Sequence, residues 1–117
     1  MKSDLTYIEH IEDCLKTIIS YVENISQIDF MQNRMVQDAT IRQFEVMGEA
    51  TKRISFTLRE QYPEIPWKQM AGFRDRLIHD YLRVDLEVVW NAAKFISIDL
   101  LIQIEKIKKE IRMVFIK

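Results

Sequence analysis

The side chains best suited to chemistry lie together in one stretch of the sequence, Gly72-Phe73-Arg74-Asp75-Arg76-Leu77-Ile78-His79-Asp80-Tyr81. It contains two arginines, a histidine and a tyrosine, and it holds one of the two glycines and one of the two histidines among 117 residues. The other long stretches have the apolar periodicity of ordinary amphipathic helices. Any chemistry that the protein performs is therefore expected in this segment.

Helix geometry indicates which of these side chains can act together. Asp75 and Arg76 precede His79 by four and three residues, so both share its face of a helix. Asp75 is expected to hold His79, and Arg76 to offer positive charge beside it. Arg74 precedes His79 by five residues and lies about 140° away on an ideal helix. Arg74 can join the site only if the backbone bends at Gly72 or if a second subunit completes the pocket.

The composition predicts an all-α fold. Two glycines and two prolines leave few turns, which favours a few long helices over strands. The pattern predicts four main helices and a short one in an up-and-down bundle, forming a single domain over 1–117. Expected helices span 4–24, 34–61, a short one from Trp67 kinked at Gly72 and resuming over 74–80, and 85–112, with 25–33 as a connection.

The helix faces give finer expectations. Asp4 or Ser3 is the expected cap of the first helix, Asn33 of the second and Asp85 of the last, and Glu12 falls on the solvated side of the first helix. Gly48, in mid-helix, predicts the close approach of another backbone; Glu49 beside it is either a buried polar anchor or, as we favour, a solvated residue. The expected inner face of the last helix comprises Leu86, Val89, Trp90, Ala93, Ile96, Leu100, Ile104, Ile107 and Ile111.

Charge and cysteine content exclude several classes of protein. The net charge of −1 is not that of a basic nucleic-acid-binding domain, so any RNA contact must come from a local cluster. No apolar run approaches the roughly 20 residues of a membrane span, and no signal peptide is evident. The single Cys14 is expected to be a buried structural thiol, and His10 a surface residue. A cytoplasmic location is the natural expectation.

The residue types in the central stretch limit the possible reactions. No second histidine, cysteine pair or carboxylate triad lies near His79, so a metal site is not expected. No glycine-rich phosphate loop and no neighbouring nucleophile are present. A histidine with an arginine can cleave RNA without a metal or other cofactor. The histidine moves protons, the arginine stabilises charge on the phosphate, and the ribose 2′-hydroxyl attacks.

The spacing Arg74-x4-His79-x-Tyr81 resembles the signature of the HEPN superfamily in its HepT-like toxin branch. Gly48-Glu49-Ala50, Ile65-Pro66-Trp67 and the segment from Val84 to Trp90 resemble that branch as well. The resemblance covers nearly the whole chain. It departs from many relatives at Asp75, where they carry asparagine, and a carboxylate there places negative charge beside an RNA phosphate.

The resemblance implies a four- or five-helix HEPN bundle that forms a homodimer with the motifs near the twofold axis. It implies a metal-independent endoribonuclease that acts as the toxin of a type II- or type VII-like toxin–antitoxin system. Arg74 and His79 would be the catalytic pair, with Asp75 and Arg76 in support. Tyr81 would be adenylylated from ATP by a cognate minimal nucleotidyltransferase antitoxin, which silences the toxin.

Two other functions stay open. The chain could be a non-catalytic helical module that binds nucleotide or partners a nucleotidyltransferase, or it could be a purely structural helical dimer. RNA cleavage by the unmodified protein separates the first function from both alternatives. Adenylylation of Tyr81 would exclude the structural dimer.

Overall fold

A computed structural model describes residues 2–116 of the chain, with side chains described for 4–114. The described chain is helical, and the all-α prediction is confirmed. Its α-helices are α1 (Lys2–Val22), α2 (Gln27–Gln32), α3 (Arg34–Lys52), α4 (Phe56–Gln61), α5 (Trp67–His79), α6 (Leu86–Asn91) and α7 (Ser97–Ile116). A 3₁₀ turn covers Tyr81–Arg83, and a π turn, Ala92–Ile96, joins α6 to α7.

The long helices pack side by side. Helix α1 contacts both α3 and α7, and α5 packs on α3. The helical bundle is elongated, with extents of 50 × 29 × 20 Å. The core lies between these helices and includes the fully buried side chains of Ile8, Ile11, Leu15, Ile18, Phe30, Val89, Ile104 and Ile107.

Two predicted boundaries are wrong. The expected helix 34–61 is interrupted after Lys52, because Ser55 adopts an extended backbone and caps α4 by accepting the Leu58 N–H. Asp4 stabilises this interruption: its buried carboxylate accepts the Ser55 N–H at 2.9 Å and the Ser55 hydroxyl at 2.6 Å. Asp4 is therefore not a simple cap of α1, and the Ser3 side chain lies outside those described. The apolar spacing continues across the break, so periodicity could not reveal it.

The second correction concerns the expected connection 25–33, which contains α2. Ser26 and Asp29 form a reciprocal capping box at its start: Ser26 Oγ accepts the Asp29 N–H at 3.2 Å, and Asp29 accepts the Ser26 N–H at 3.3 Å. Asn33 caps α3, as predicted.

The π turn changes the predicted inner face of the last helix. Ile96 is 58% exposed, whereas Ser97 is buried. The Ser97 N–H and hydroxyl both reach the Ala92 carbonyl, five residues earlier, and this wider turn brings Ser97 to the core instead of Ile96. The expectation for Ile96 assumed an uninterrupted α-helix.

Glu12 is buried, in contrast to its predicted solvated position. Lys108 of α7 donates to its carboxylate at 2.7 Å, and Lys16 lies 3.5 Å away. Burial opposes ionisation of Glu12, but the hydrogen bond and charge of Lys108, aided by Lys16, hold its pKa below the usual value. Sequence periodicity placed Glu12 on the solvated side of the first helix, because the spacing along that helix does not show that α7 covers it.

We expect Lys108→Met to lower the free energy of unfolding by about 2–3 kcal/mol, because it removes the closer partner of a buried carboxylate and leaves only Lys16, 3.5 Å away. The double variant Glu12→Gln/Lys108→Met should recover most of this loss. Urea denaturation measures both values, with Lys109→Met as the exposed control on the same helix. Since the Glu12 pKa is depressed by folding, the ion pair contributes above the unfolded pKa and is lost as the pH falls through the folded pKa. Equal stability of the Lys108→Met and Lys109→Met variants would contradict this account.

The two glycines have opposite surroundings. A Cβ built on Gly48 would overlap the Cβ of Arg74 and lie 3.2 Å from the carbonyl oxygen of Met70. This confirms the predicted close approach and identifies α5 as the neighbour. A Cβ on Gly72 meets nothing within 4 Å, and α5 continues through Gly72 without a break. The structure therefore provides no interruption at Gly72 that could redirect Arg74.

The same substitution should have opposite effects at the two glycines. Gly48→Ala should lower the free energy of unfolding by at least about 1 kcal/mol, since the new methyl group forces α3 and α5 apart. Gly72→Ala should raise it by about 0.5–1 kcal/mol, because alanine favours a helix interior and has room there. Urea denaturation of the two variants tests this, and a change of the same sign at both positions would contradict it.

Among the helices of the described chain, none combines the length and apolar character required to cross a membrane.

Cys14 is buried, as predicted, and burial raises the pKa of its thiol to about 11.

Candidate functional site

Arg74 lies where α5 crosses α3. Met70 and Leu77 of α5 are buried, and the Phe73 ring packs edge-on against Phe44 at 5.2 Å, which fixes this face of α5 on α3. The absence of a side chain at Gly48 lets the Cβ of Arg74 lie directly on α3. Its guanidinium pairs with Glu49 at 3.3 Å and with Asp75 at 2.9 Å, and its side chain is 27% exposed. The position of Arg74 is thus set by packing at its base and by two carboxylates at its tip.

Asp75 forms different contacts from those predicted. Its Oδ1 accepts hydrogen bonds from Lys52 Nζ at 2.5 Å and from Arg74 Nη1 at 2.9 Å. The hydrogen bond from Lys52, and then that from Arg74, hold the pKa of Asp75 below its usual value. No hydrogen bond or ion pair joins Asp75 to His79 within the described part of the chain. The expected role of holding His79 is therefore corrected: Lys52 of α3, which helical spacing within α5 cannot reveal, attracts the carboxylate.

His79 is the last residue of α5 and is exposed. Its side chain makes no hydrogen bond or ion pair with any described residue. Arg74 lines a groove on the α3 side of α5, and His79 does not line it. Within this chain the structure thus brings Arg74 together with Glu49, Lys52 and Asp75, and leaves His79 outside this cluster.

The residues after His79 leave the helix at once. Asp80 is the C-cap of α5, and Tyr81 begins the 3₁₀ turn. Tyr81 is 57% exposed and lies two residues after His79. Arg76 is also exposed and borders a small cavity of about 80 Å³ with Asp80 and Arg83. Exposed apolar side chains surround this end of α5, namely those of Ile78, Leu82 and Val88.

A groove of about 410 Å³ runs beside Arg74 between α1, α3 and α5. We call it the α1–α3 groove; its walls include Tyr7, His10, Arg42, Arg53, Arg74 and Ile78. Two glutamates, Glu45 and Glu49, also border it. His10 is exposed as predicted, but its position beside Arg74 was not foreseen, because α1 and α5 are far apart in sequence.

Glu49 and Lys52 are the site residues that sequence reasoning missed. Glu49 is neither buried nor simply solvated: its side chain is 45% exposed and pairs with both Arg74 and Arg53. The signal for Glu49 was its neighbour Gly48, which marks the helix crossing. Lys52 lies one turn further along α3 and had no comparable signal.

Across the described residues, no group of three or more His, Cys, Asp or Glu side chains converges in a way that could hold a metal ion.

Comparison with known proteins relates this arrangement to a family. The family described as ribonuclease HepT-like matches residues 11–107, a range that includes Gly48, Glu49, Arg74, His79 and Tyr81. The chain belongs to this ribonuclease HepT-like family. The match extends from the second half of α1 into α7, so it covers the helices that form the Arg74 cluster.

Individual relatives align with most of the chain. "Probable ribonuclease HepT" of Thermococcus cleftensis is 37% identical over 108 residues, which are 92% of this chain and 98% of that protein. "Putative RNase TTE0752" of Caldanaerobacter subterraneus is 32% identical over 117 residues, 100% of this chain and 98% of its own. "Putative RNase MJ1216" of Methanocaldococcus jannaschii is 40% identical over 104 residues, 89% and 83% of the two chains. No solved structure matches the chain significantly.

Proposed function

We propose that this protein is a metal-independent endoribonuclease, with RNA as its substrate and Arg74 and His79 as its catalytic residues. Membership of the HepT-like family, with a match that includes both residues, carries the proposal. The names of the relatives, each an RNase or a ribonuclease, agree with it. We extend the proposal to one catalytic domain over 1–117, acting in the cytoplasm as the toxin of a toxin–antitoxin pair.

The proposed reaction uses the RNA itself as nucleophile. The ribose 2′-oxygen attacks the adjacent phosphorus and loses its proton to a neutral imidazole. The bond from phosphorus to the 5′-oxygen breaks, and that oxygen takes a proton from a protonated imidazole. The products are a 2′,3′-cyclic phosphate and a 5′-hydroxyl end. The Arg74 guanidinium stabilises the negative charge that gathers on the phosphate oxygens.

A homodimer would supply both imidazoles. One protomer has one His79, and its Arg74 faces the α1–α3 groove rather than His79. Two protomers that meet with their α5 ends together would bring two copies of each residue to one cleft. The exposed apolar side chains around this end support such a seam: Ile78 is 41% exposed, Val88 40% and Leu82 93%.

The catalytic roles predict large losses of activity without loss of the fold. His79→Ala should reduce RNA cleavage at least about 100-fold, because proton transfer by a positioned histidine contributes at least that much. Arg74→Ala should reduce it to a similar degree. Cleavage of radiolabelled RNA by purified protein, in EDTA and with intact mass checked first, measures both effects. Arg34→Ala, an exposed arginine on α3, is the control. Unmodified wild type that leaves RNA intact would overturn the proposal.

We also propose that Tyr81 is the site of silencing by a cognate nucleotidyltransferase. Its phenolic oxygen would attack the α-phosphate of ATP, forming an ester bond to AMP and releasing pyrophosphate. The 57% exposure of the side chain and its place in a short 3₁₀ turn make it accessible to a second enzyme. The attached phosphate and nucleoside would add negative charge and bulk two residues from His79, which repels RNA and blocks the cleft.

Co-expression with the nucleotidyltransferase should therefore add one or more adenylyl units to the wild-type mass and abolish cleavage. Tyr81→Phe should gain no mass and stay active in the presence of the enzyme and ATP. Tyr62→Phe is the control, since the Tyr62 hydroxyl is buried and donates to Glu110. A mass gain that persists in Tyr81→Phe would assign the modification to another residue.

A second candidate function follows from the ion pairs of Arg74. Because Glu49 and Asp75 already neutralise its guanidinium, the chain could bind nucleotide or a nucleotidyltransferase without cutting RNA. Under this function His79→Ala alters association and no variant cleaves RNA, so the cleavage assay decides between the two.

A further inference from the structure

We propose that the α1–α3 groove binds a single-stranded RNA nucleotide that flanks the phosphate to be cleaved. The argument uses residues of α1 and α3 that lie outside the Arg-x4-His stretch. It rests on the proposed ribonuclease function for the identity of the ligand, but binding at the groove can be measured without cleavage.

The groove carries an excess of positive charge in a chain whose net charge is −1. Arg42, Arg53 and Arg74 line it with Glu45 and Glu49, so three guanidiniums face two carboxylates, and His10 adds a further titratable group. This is the local cationic cluster that any RNA contact requires in an otherwise acidic chain.

The ion pairs in the groove are weak enough to be exchanged for a phosphate. Arg42 lies 3.5 Å from Glu45 and Arg53 3.7 Å from Glu49, and these arginine side chains are 71% and 59% exposed. The Arg53–Glu49 pair is exposed at both ends and contributes little to stability, and in the Arg42–Glu45 pair the arginine is exposed while Glu45 is 16% exposed. Arg53 shares its one carboxylate, Glu49, with Arg74, which also pairs with Asp75 at 2.9 Å. An incoming phosphate therefore finds guanidiniums that can turn towards it at small cost.

Aromatic rings stand beside these cations. Tyr7 and His10, one turn apart on α1, pack edge to face with their ring centroids 6.1 Å apart. Both border the groove, and apolar atoms of Val46, Ala50 and Ile78 complete its walls. Proteins bind unpaired nucleotides with this combination, in which a base stacks on an aromatic ring while arginines contact the backbone. A duplex would hide its base faces from these rings, so a single strand fits better.

The size and place of the groove connect it to the candidate catalytic residues. Its volume of about 410 Å³ falls in the range of pockets that hold small ligands, a class that includes a mononucleotide. Arg74 belongs both to the groove and to the catalytic pair, and Ile78 at its edge immediately precedes His79. A strand with one nucleotide in the groove thus has its next phosphate at Arg74 and continues towards the end of α5.

Binding of fluorescent single-stranded RNA to a His79→Ala background tests the proposal. Arg42→Gln/Arg53→Gln should weaken binding at least about tenfold and should lower the slope of log affinity against log salt by about 1.4, since each lost phosphate contact removes about 0.7. Arg34→Gln/Lys68→Gln removes the same charge from exposed positions outside the groove and should leave both values unchanged. If the two double variants bind RNA equally, the groove is not the binding site.

Variants of Tyr7 test the role of the aromatic ring in the groove. Tyr7→Leu should weaken binding about tenfold with the salt slope unchanged, whereas Tyr7→Phe, which keeps the ring, should bind as the parent does. Melting curves establish that each variant is folded. Equal binding by Tyr7→Leu and Tyr7→Phe, when both are folded, would overturn the stacking role.

Free AMP distinguishes the source of the nucleotide. If the groove variants lose AMP binding but keep RNA binding, the RNA assignment is overturned. The test also separates this proposal from the proposed function: a protein that never cleaves RNA but loses binding in the arginine variants retains the groove and refutes the nuclease. If the same variants, made on the wild-type background, cleave RNA with unchanged KM and kcat, the nuclease is retained and the groove proposal is overturned.

Discussion

The close contact of α3 and α5 at Gly48 is the constraint on which the site depends. A glycine in mid-helix costs about 1 kcal/mol relative to alanine, and here it lets the backbone of α3 lie against the base of the Arg74 side chain. This contact brings Glu49 and Lys52 of α3 beside Arg74 and Asp75 of α5. The electrostatic environment of Arg74 is therefore set by helix packing rather than by its neighbours in sequence.

The two carboxylates beside Arg74 have opposing effects. They hold its guanidinium in place, which limits the motion of a long side chain before substrate arrives. The same carboxylates compete with a phosphate for it. Lys52 reduces the competition, because its ammonium donates to the same Asp75 oxygen as Arg74 and neutralises part of the charge of that carboxylate. The negative charge of Asp75 is thus compensated locally by a cation from the neighbouring helix.

The other interhelical polar contacts keep the scaffold of this site in place. The Glu12–Lys108 pair joins α1 to α7, and the Asp4–Ser55 hydrogen bonds join α1 to the break after α3. Lys94, in the π turn, donates to the carbonyl of Val22 at the end of α1 and to those of Glu23 and Ile25 just after it. Each of these contacts fixes α1 relative to a segment that follows α3 in the chain. Because α1 forms one wall of the α1–α3 groove, the shape of that groove depends on contacts far from it.

The sequence by itself determined the fold class, the close approach at Gly48, the caps at Asn33 and Asp85, and the burial of Cys14, since these follow from local periodicity, turn chemistry and residue type. The Arg74-x4-His79-x-Tyr81 spacing, together with the segments at Gly48, Ile65 and Val84, also indicated the family. Only the tertiary structure decided which helix meets Gly48, that Asp75 pairs with Lys52 instead of His79, that Glu12 is buried, and that His10 and Tyr7 lie in the groove that Arg74 lines. Each of these depends on two segments that are distant in sequence, and the spacing of residues along one helix carries no information about the charge or the shape of the helix that packs against it.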